Sequence, residues 1–200
     1  MKPRARLLHW SCALLAVSAL VFTPLPPTHA AASGSSLGAR LVGPIASLVA
    51  SAQWVRADLA FRSGRIELFL SRAHTALRLA PDSVEGWRYL AWHQAYALAS
   101  PEAEPDPERR LAWVRAGLAT AAQGERVTDH PEELALLGGL ILIKLPNVDP
   151  KLDWPGGMAG AWEAAAEHFD RAQRLGFDPA TASELCRLAR QAAADLRAQR

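Results

Sequence analysis

Cysteine is almost missing from this chain: of 200 residues only two are Cys, at Cys12 and Cys186. Cys12 sits close behind a basic start with almost no apolar run before it, which does not resemble a lipoprotein attachment site. Once the N-terminal segment is set aside, Cys186 stands alone, so no intramolecular disulfide can form even in an oxidising compartment. It shares an apolar helical face with Leu185 and Ala189 and is expected to be a buried structural thiol rather than a nucleophile. The chain also has no HExxH, no CxxCH, no nucleophile elbow and no glycine-rich phosphate loop. Glu163, Glu167 and His168 come nearest to a metal set, but donors one or five residues apart do not share a helical face as spacings of three or four do. His168 is therefore expected at the surface or its boundary. No catalytic residue, metal site or cofactor is expected, and the chain is read as not an enzyme.

Charge is also scarce in one sense. Lys and Arg total 22 against 20 Asp and Glu, and three of the basic residues, Lys2, Arg4 and Arg6, lie in the first thirty. The remainder is left with 19 against 20, so a pI of 8.8 describes the leader more than the body. A near-neutral body without a basic run argues against nucleic acid. The leader has a basic start, an apolar run from Leu7 to Phe22, and Pro24, Pro26 and Pro27 before Ala30. That order is expected of a secretory signal peptide over 1–30, cleaved after Ala30. The alternative is an uncleaved anchor, since Leu7 to Leu25 is about the roughly 20 residues of a membrane span. The protein is expected to be exported, either periplasmic or membrane-anchored and facing the periplasm.

No segment alternates polar and apolar residues over any length, so strands are not expected. What the chain has instead is helical period. From Gly64 to Tyr96, apolar residues recur in steps of three and four: Ile66, Phe69, Leu70, Ala73 and Leu77, then Trp87, Leu90 and Ala91. Pro81 ends the first of these helices, and Ser83 with Asp82 can cap the second. After a small-residue linker over 31–43, Pro44 suits the first turn of a helix to Arg62, with Ile45, Leu48, Val49, Ala52, Val55, Leu59 and Ala60 available for burial. Further helices are expected at about 83–98, 107–123, 129–144, 158–175 and 179–198. The acidic proline loop 99–107 and the segment 145–157, which carries Pro146, Pro150, Pro155 and a Gly pair, separate them. Gly138-Gly139, inside an apolar helix, is expected to permit close packing. The fold class is all-α.

Fixed spacings within these helices resemble the tetratricopeptide repeat, whose pattern is W-x2-L-G-x2-Y, then A-x3-F, then P. Trp87, Leu90 and Ala91 fall on the first positions, Ala76-Leu77 and Pro81 on the last ones of the preceding repeat, and Gly64 at its inner turn. Ala165 and Phe169 supply an A-x3-F, and Leu134-x-x-Leu137-Gly138 looks like the start of a first helix. Repeats starting at Ala50, Val84, Pro131 and Pro179 are spaced 34, 47 and 48 residues, the excess falling in the two proline loops. The resemblance covers about residues 44–198 and implies a short right-handed α-solenoid of three degenerate hairpins and a capping helix.

In that family the first helices of successive repeats line a concave groove. Carried over by position, the groove residues are Ser51, Trp54, Asp58, Phe61 and Arg62 in the first repeat. In the second they are Glu85, Arg88, Trp92, Ala95 and Tyr96, and in the third Glu132, Ala135, Gly139, Leu142 and Ile143. Trp54, Trp92 and Tyr96 among Asp58, Arg62 and Arg88 would suit a peptide or a partner's helix. The competing expectation buries these aromatics under a folded-back last helix. Trp154, on the DWPGG loop, would either meet a partner or pin the loop to the body. The resemblance thus implies a non-catalytic scaffold or adaptor of the bacterial cell envelope that binds a protein or peptide, with possible membrane association through the leader. The alternatives are a small-ligand or lipid carrier using Leu140-Ile141-Leu142-Ile143, and an unrecognised hydrolase.

Overall fold

Helix starts fall where a short polar side chain can accept a free backbone N–H. Ser83 Oγ accepts from the N–H of Gly86 at 3.1 Å, Asp106 from Glu108 at 3.0 Å and Asp178 from Thr181 at 2.8 Å. Each such cap contributes about 1 kcal/mol. Pro107 and Pro179 follow two of them at the first helical position, where a missing N–H costs nothing. The computed structural model describes residues 37–148 and 153–199, with side chains from 45 to 145 and from 153 to 199. The expected leader and the centre of the loop after residue 148 lie outside the described residues.

Seven helices follow, with no strand among the described residues: α1 (Leu37–Arg62), α2 (Ile66–Leu79), α3 (Val84–Trp92), α4 (Pro107–Gly124), α5 (Pro131–Val148), α6 (Gly157–Leu175) and α7 (Pro179–Ala198). α3 runs straight into a π-helical stretch, His93–Leu98. Consecutive helices pack on one another: α1 on α2, α3 on α4, α5 on α6 and α6 on α7. Gly64, at φ 72°, turns α1 into α2, and Gly176, at φ 112°, ends α6; both are conformations an L side chain rarely takes. No described helix is long and apolar enough to cross a membrane.

The core is built from large side chains seated against small ones. Phe69, Phe169, Leu90, Leu134, Ile141 and Leu142 are fully buried, each worth about 1.5–3 kcal/mol relative to exposure. Gly138 and Gly139 lie under α6, where an added Cβ would come within 2.4 Å of the His168 ring and of Phe169 respectively, so the pair permits close packing as expected. Cys186 is buried, its thiol against the Ala166 carbonyl at 3.5 Å. The acidic proline loop is tied down by Arg110, 6% exposed, which donates to the carbonyls of Glu104 at 3.0 Å and Pro105 at 2.8 Å.

Three expectations are corrected. α1 starts at Leu37, so residues 37–43 of the expected linker are helical and Pro44 stands inside the helix. Pro44 removes one helical hydrogen bond, and the Leu, Ala and Arg residues before it are good enough helix formers to continue regardless. The second correction concerns which side of α1 is buried. Ala50, Gln53, Ala57 and Ala60 face inward, whereas Leu48 is 72% exposed, Val55 62% and Leu59 57%. Small residues let α2 approach closely, and the larger ones point where no described helix packs. The same logic places Ala182, Cys186, Ala189 and Ala193 of α7 inward and leaves Leu188 exposed.

The third difference is the π-helical stretch, which a 3.6-residue period does not foresee. It packs on α4 through Gly117, where an added Cβ would meet the Ala91 carbonyl oxygen at 2.6 Å and the Ala95 Cβ at 2.8 Å. Beside it, Thr120 donates to the buried Gln94 side chain at 2.6 Å. The neighbouring atom is backbone and cannot swing away. Gly117→Val is therefore expected to cost about 1–3 kcal/mol by overpacking, despite valine's better helix propensity, and to lower the thermal midpoint by several degrees. A midpoint equal to or above wild type in a melting scan would contradict the close packing of α3 on α4.

Candidate interaction face

α1, α3 and α5 meet side by side through their side chains, and α3 supplies a ridge between two cavities. Glu85 and Tyr89, one turn apart, line both. Toward α1 lies a cavity of about 500 Å³ walled by Trp54, Val55, Asp58 and Arg62. Toward α5 lies one of about 440 Å³ walled by Arg88, Trp92, Leu136 and Leu140, with Phe177 at its edge from the α6–α7 turn.

The α1 side is shaped by aromatic contact over a glycine. The Trp54 and Tyr89 rings meet edge-on at 5.4 Å, and an added Cβ on Gly86 would lie 2.9 Å from the indole. Tyr89 donates its hydroxyl to Asp58 at 3.2 Å, and Asp58 also pairs with Arg62 at 2.8 Å. Burial first, and then the Asp58 charge and hydrogen bond, push the Tyr89 phenol up to about 12, with Arg62 opposing. Tyr89 thus remains a protonated donor.

On the α5 side the two helices are bridged by charge. One Arg88 nitrogen reaches Glu85 at 3.1 Å and Glu133 at 3.3 Å. These groups are roughly half exposed or more, so the pair orients side chains and adds only about 0–1 kcal/mol. Trp92 and Tyr96 pack at 4.1 Å between ring centres, and the Lys144 ammonium lies 4.7 Å from the Trp92 ring, a cation–π contact.

Of the residues expected to meet a partner, Trp54, Asp58 and Arg62 come together in the first cavity, and Arg88 and Trp92 in the second. Tyr96 lines neither. Its hydroxyl donates to the Leu140 carbonyl at 2.9 Å, and burial raises its phenol pKa, so it ties α3 to α5. Trp154 lines neither cavity and packs half-buried against the core, as a pin for its loop. The last helix does not cover the aromatics; α7 packs on α6. Of the apolar segment that a carrier would use, Ile141 and Leu142 are core and Leu140 alone lines a cavity.

The positions carried onto α5 are one residue early. Ala135, Gly139 and Leu142 are buried, Gly139 beneath Phe169 of α6, while Glu133, Leu136 and Leu140 line the cavity and Lys144 caps Trp92. One residue on a helix is a rotation of about 100°. Tyr89 was missed because its position is not among those that the resemblance carries over to the groove. No known family model, curated protein or solved structure matches the chain.

No group of three or more potential metal ligands occurs among the described residues. His168 lies at the boundary of the core, as expected, its ring over Gly138 and bonded to the Ala135 backbone, with a buried Nδ1 that has no hydrogen-bond partner. Desolvation lowers its pKa below the ordinary 6.5, against the raising influence of Glu125 and Glu167, while Arg171 lowers it further. Arg171 itself pairs with Glu125, whose side chain is 4% exposed, at 2.6 Å. In the unfolded chain His168 takes its proton near 6.5, whereas the folded chain resists it to lower pH. The stability is therefore fully present above about 6.5 and falls as pH drops below it, by at most about 1.4 kcal/mol per pH unit from this one group. Denaturant titrations from pH 7.5 to 5 should show a smaller loss in His168→Gln than in wild type; equal losses would remove His168 from the account. His74, also lowered by burial and by Arg78, is common to both proteins and cancels.

Proposed function

We propose that this chain is a non-catalytic scaffold or adaptor of the bacterial cell envelope. In this reading it is a short solenoid of three degenerate tetratricopeptide-like hairpins, α1–α2, α3–α4 and α5–α6, closed by α7. A peptide or helix of a partner protein docks on the face formed by α1, α3 and α5. The observation that carries the reading is the pair of aromatic-walled cavities on either side of one ridge. Trp54 and Tyr89 stand in one, Trp92 in the other, and Trp92 is 37% exposed while its neighbours hold it in place. Rigid, part-exposed aromatics bordered by Arg are the composition of binding hot spots. Export rests on the leader's basic start and apolar run, with retention of that segment leaving the scaffold tethered at a membrane.

The test is retention of a partner from native envelope extract, with circular dichroism to establish that each bait is folded. Trp92→Ala and Val55→Asp alter the face; Leu188→Asp alters an exposed leucine on α7. The first two should weaken capture of the same partner by ~30-fold each, the scale of a hot-spot loss, and the third should leave it unchanged. Capture that survives both face variants, or a bait that retains no protein, would sink the reading.

A further inference from the structure

The charges along the face are unbalanced in a way that selects a partner. Across the two cavities there are three carboxylates, Asp58, Glu85 and Glu133, and two guanidiniums, Arg62 and Arg88. Arg62 is taken by Asp58, and Arg88 is shared between the other two acids through one nitrogen. Around Arg88 one negative charge is left over, shared between Glu85 and Glu133, while Lys144 sits on the Trp92 ring about three helical turns along α5 from Glu133. Glu85 is the more exposed of the two acids, with 81% of its side chain open to solvent. Glu85 is also the residue common to both cavities, standing on the ridge that a ligand must cross to fill them together.

We propose that the occupant is an amphipathic helix of a partner protein whose docking side carries an apolar residue, a Lys or Arg, and a second apolar residue at i, i+3 or i+4, and i+7. This rests on the docking face proposed above and specifies what it takes. The two cavities flank a single helix, so their centres lie about one helix diameter apart, roughly 10 Å. Seven residues of helix rise about 10.5 Å, and i and i+7 share a face, so two anchors enter the two cavities without strain. The residue midway between them is brought over Glu85. There a cation adds a second partner to the Glu85 carboxylate, which shares Arg88 with Glu133, and can stack on Tyr89, while an acid would face Glu85 and Glu133 together.

The probe is an 18-residue helical peptide, labelled with fluorescein, carrying leucine at i and i+7 and either Arg, Ala or Glu at i+4. Its binding to the full chain is read by anisotropy. The Arg peptide should bind about tenfold more tightly than the Glu peptide with Ala between them, and the spread should shrink at high salt. Glu85→Lys, a change on an exposed side chain, should invert the order. Equal binding of all three, or a preference for Glu, would overturn the proposal. If none binds, the proposal also fails. Partner capture that is still lost in Trp92→Ala would then keep the docking face with a different occupant, whereas capture that ignores Trp92→Ala would remove the face as well.

Discussion

The Tyr96 hydroxyl, donated to the carbonyl of Leu140, is the contact on which the interaction face depends. Tyr96 lies in the π-helical continuation of α3, so this bond fixes that end of α3 against the middle of α5. On the opposite side Tyr89 reaches Asp58 of α1, and on the α5 side Arg88 also reaches Glu133 near the start of that helix. α3 is thereby held on both flanks by side chains that reach sideways. Its remaining residues, Glu85 and Tyr89, form a ridge with a recess on each side. The π-helical geometry matters here because its wider turn changes which residues point at α5 and which at α4. Gly117 and the Gln94–Thr120 bond are the complementary features on α4.

Behind the face, close approach is bought with small residues. Ala57 and Ala60 on α1, Gly117 on α4, Gly138 and Gly139 on α5, and Ala165 and Ala166 on α6 are all buried. Helices that touch through such residues leave little room for adjustment, which holds the outer aromatics in place. A partner met by preformed recesses loses less in ordering the protein than one met by mobile loops. The net negative charge on the ridge adds selectivity more than affinity, since exposed charges are screened and individually weak.

Much of the fold was legible in the sequence because local signals agreed. Ser83, Asp106-Pro107 and Asp178-Pro179 mark starts, Gly64 and Gly176 mark ends, and the apolar steps of three and four between them have no competing strand pattern. Less legible was anything decided by a neighbour. Leu48, Val55 and Leu59 have the hydrophobicity of core residues, yet the face that α2 covers is the alanine face, and hydrophobicity alone cannot rank the two. On α5 the large residues Leu134 and Leu137 attracted the repeat frame, although the small Gly139 is what α6 requires above it. That difference of one position left Leu136 off the expected face. Tyr96 packs on Trp92, but its hydroxyl could not be assigned to a backbone carbonyl some 44 residues away without knowing how α3 meets α5.

The central claim is that partners meet the ridge of α3 and not another surface. Site-specific photocrosslinking in cells tests it most directly, with a photoreactive residue placed at Glu85 in one strain and at Arg190 on α7 in another. Both positions are exposed, so neither substitution should disturb the core. The account predicts a discrete crosslinked adduct to one partner from position 85 and none from position 190. An adduct from position 190 with none from position 85 would place recognition elsewhere and contradict it.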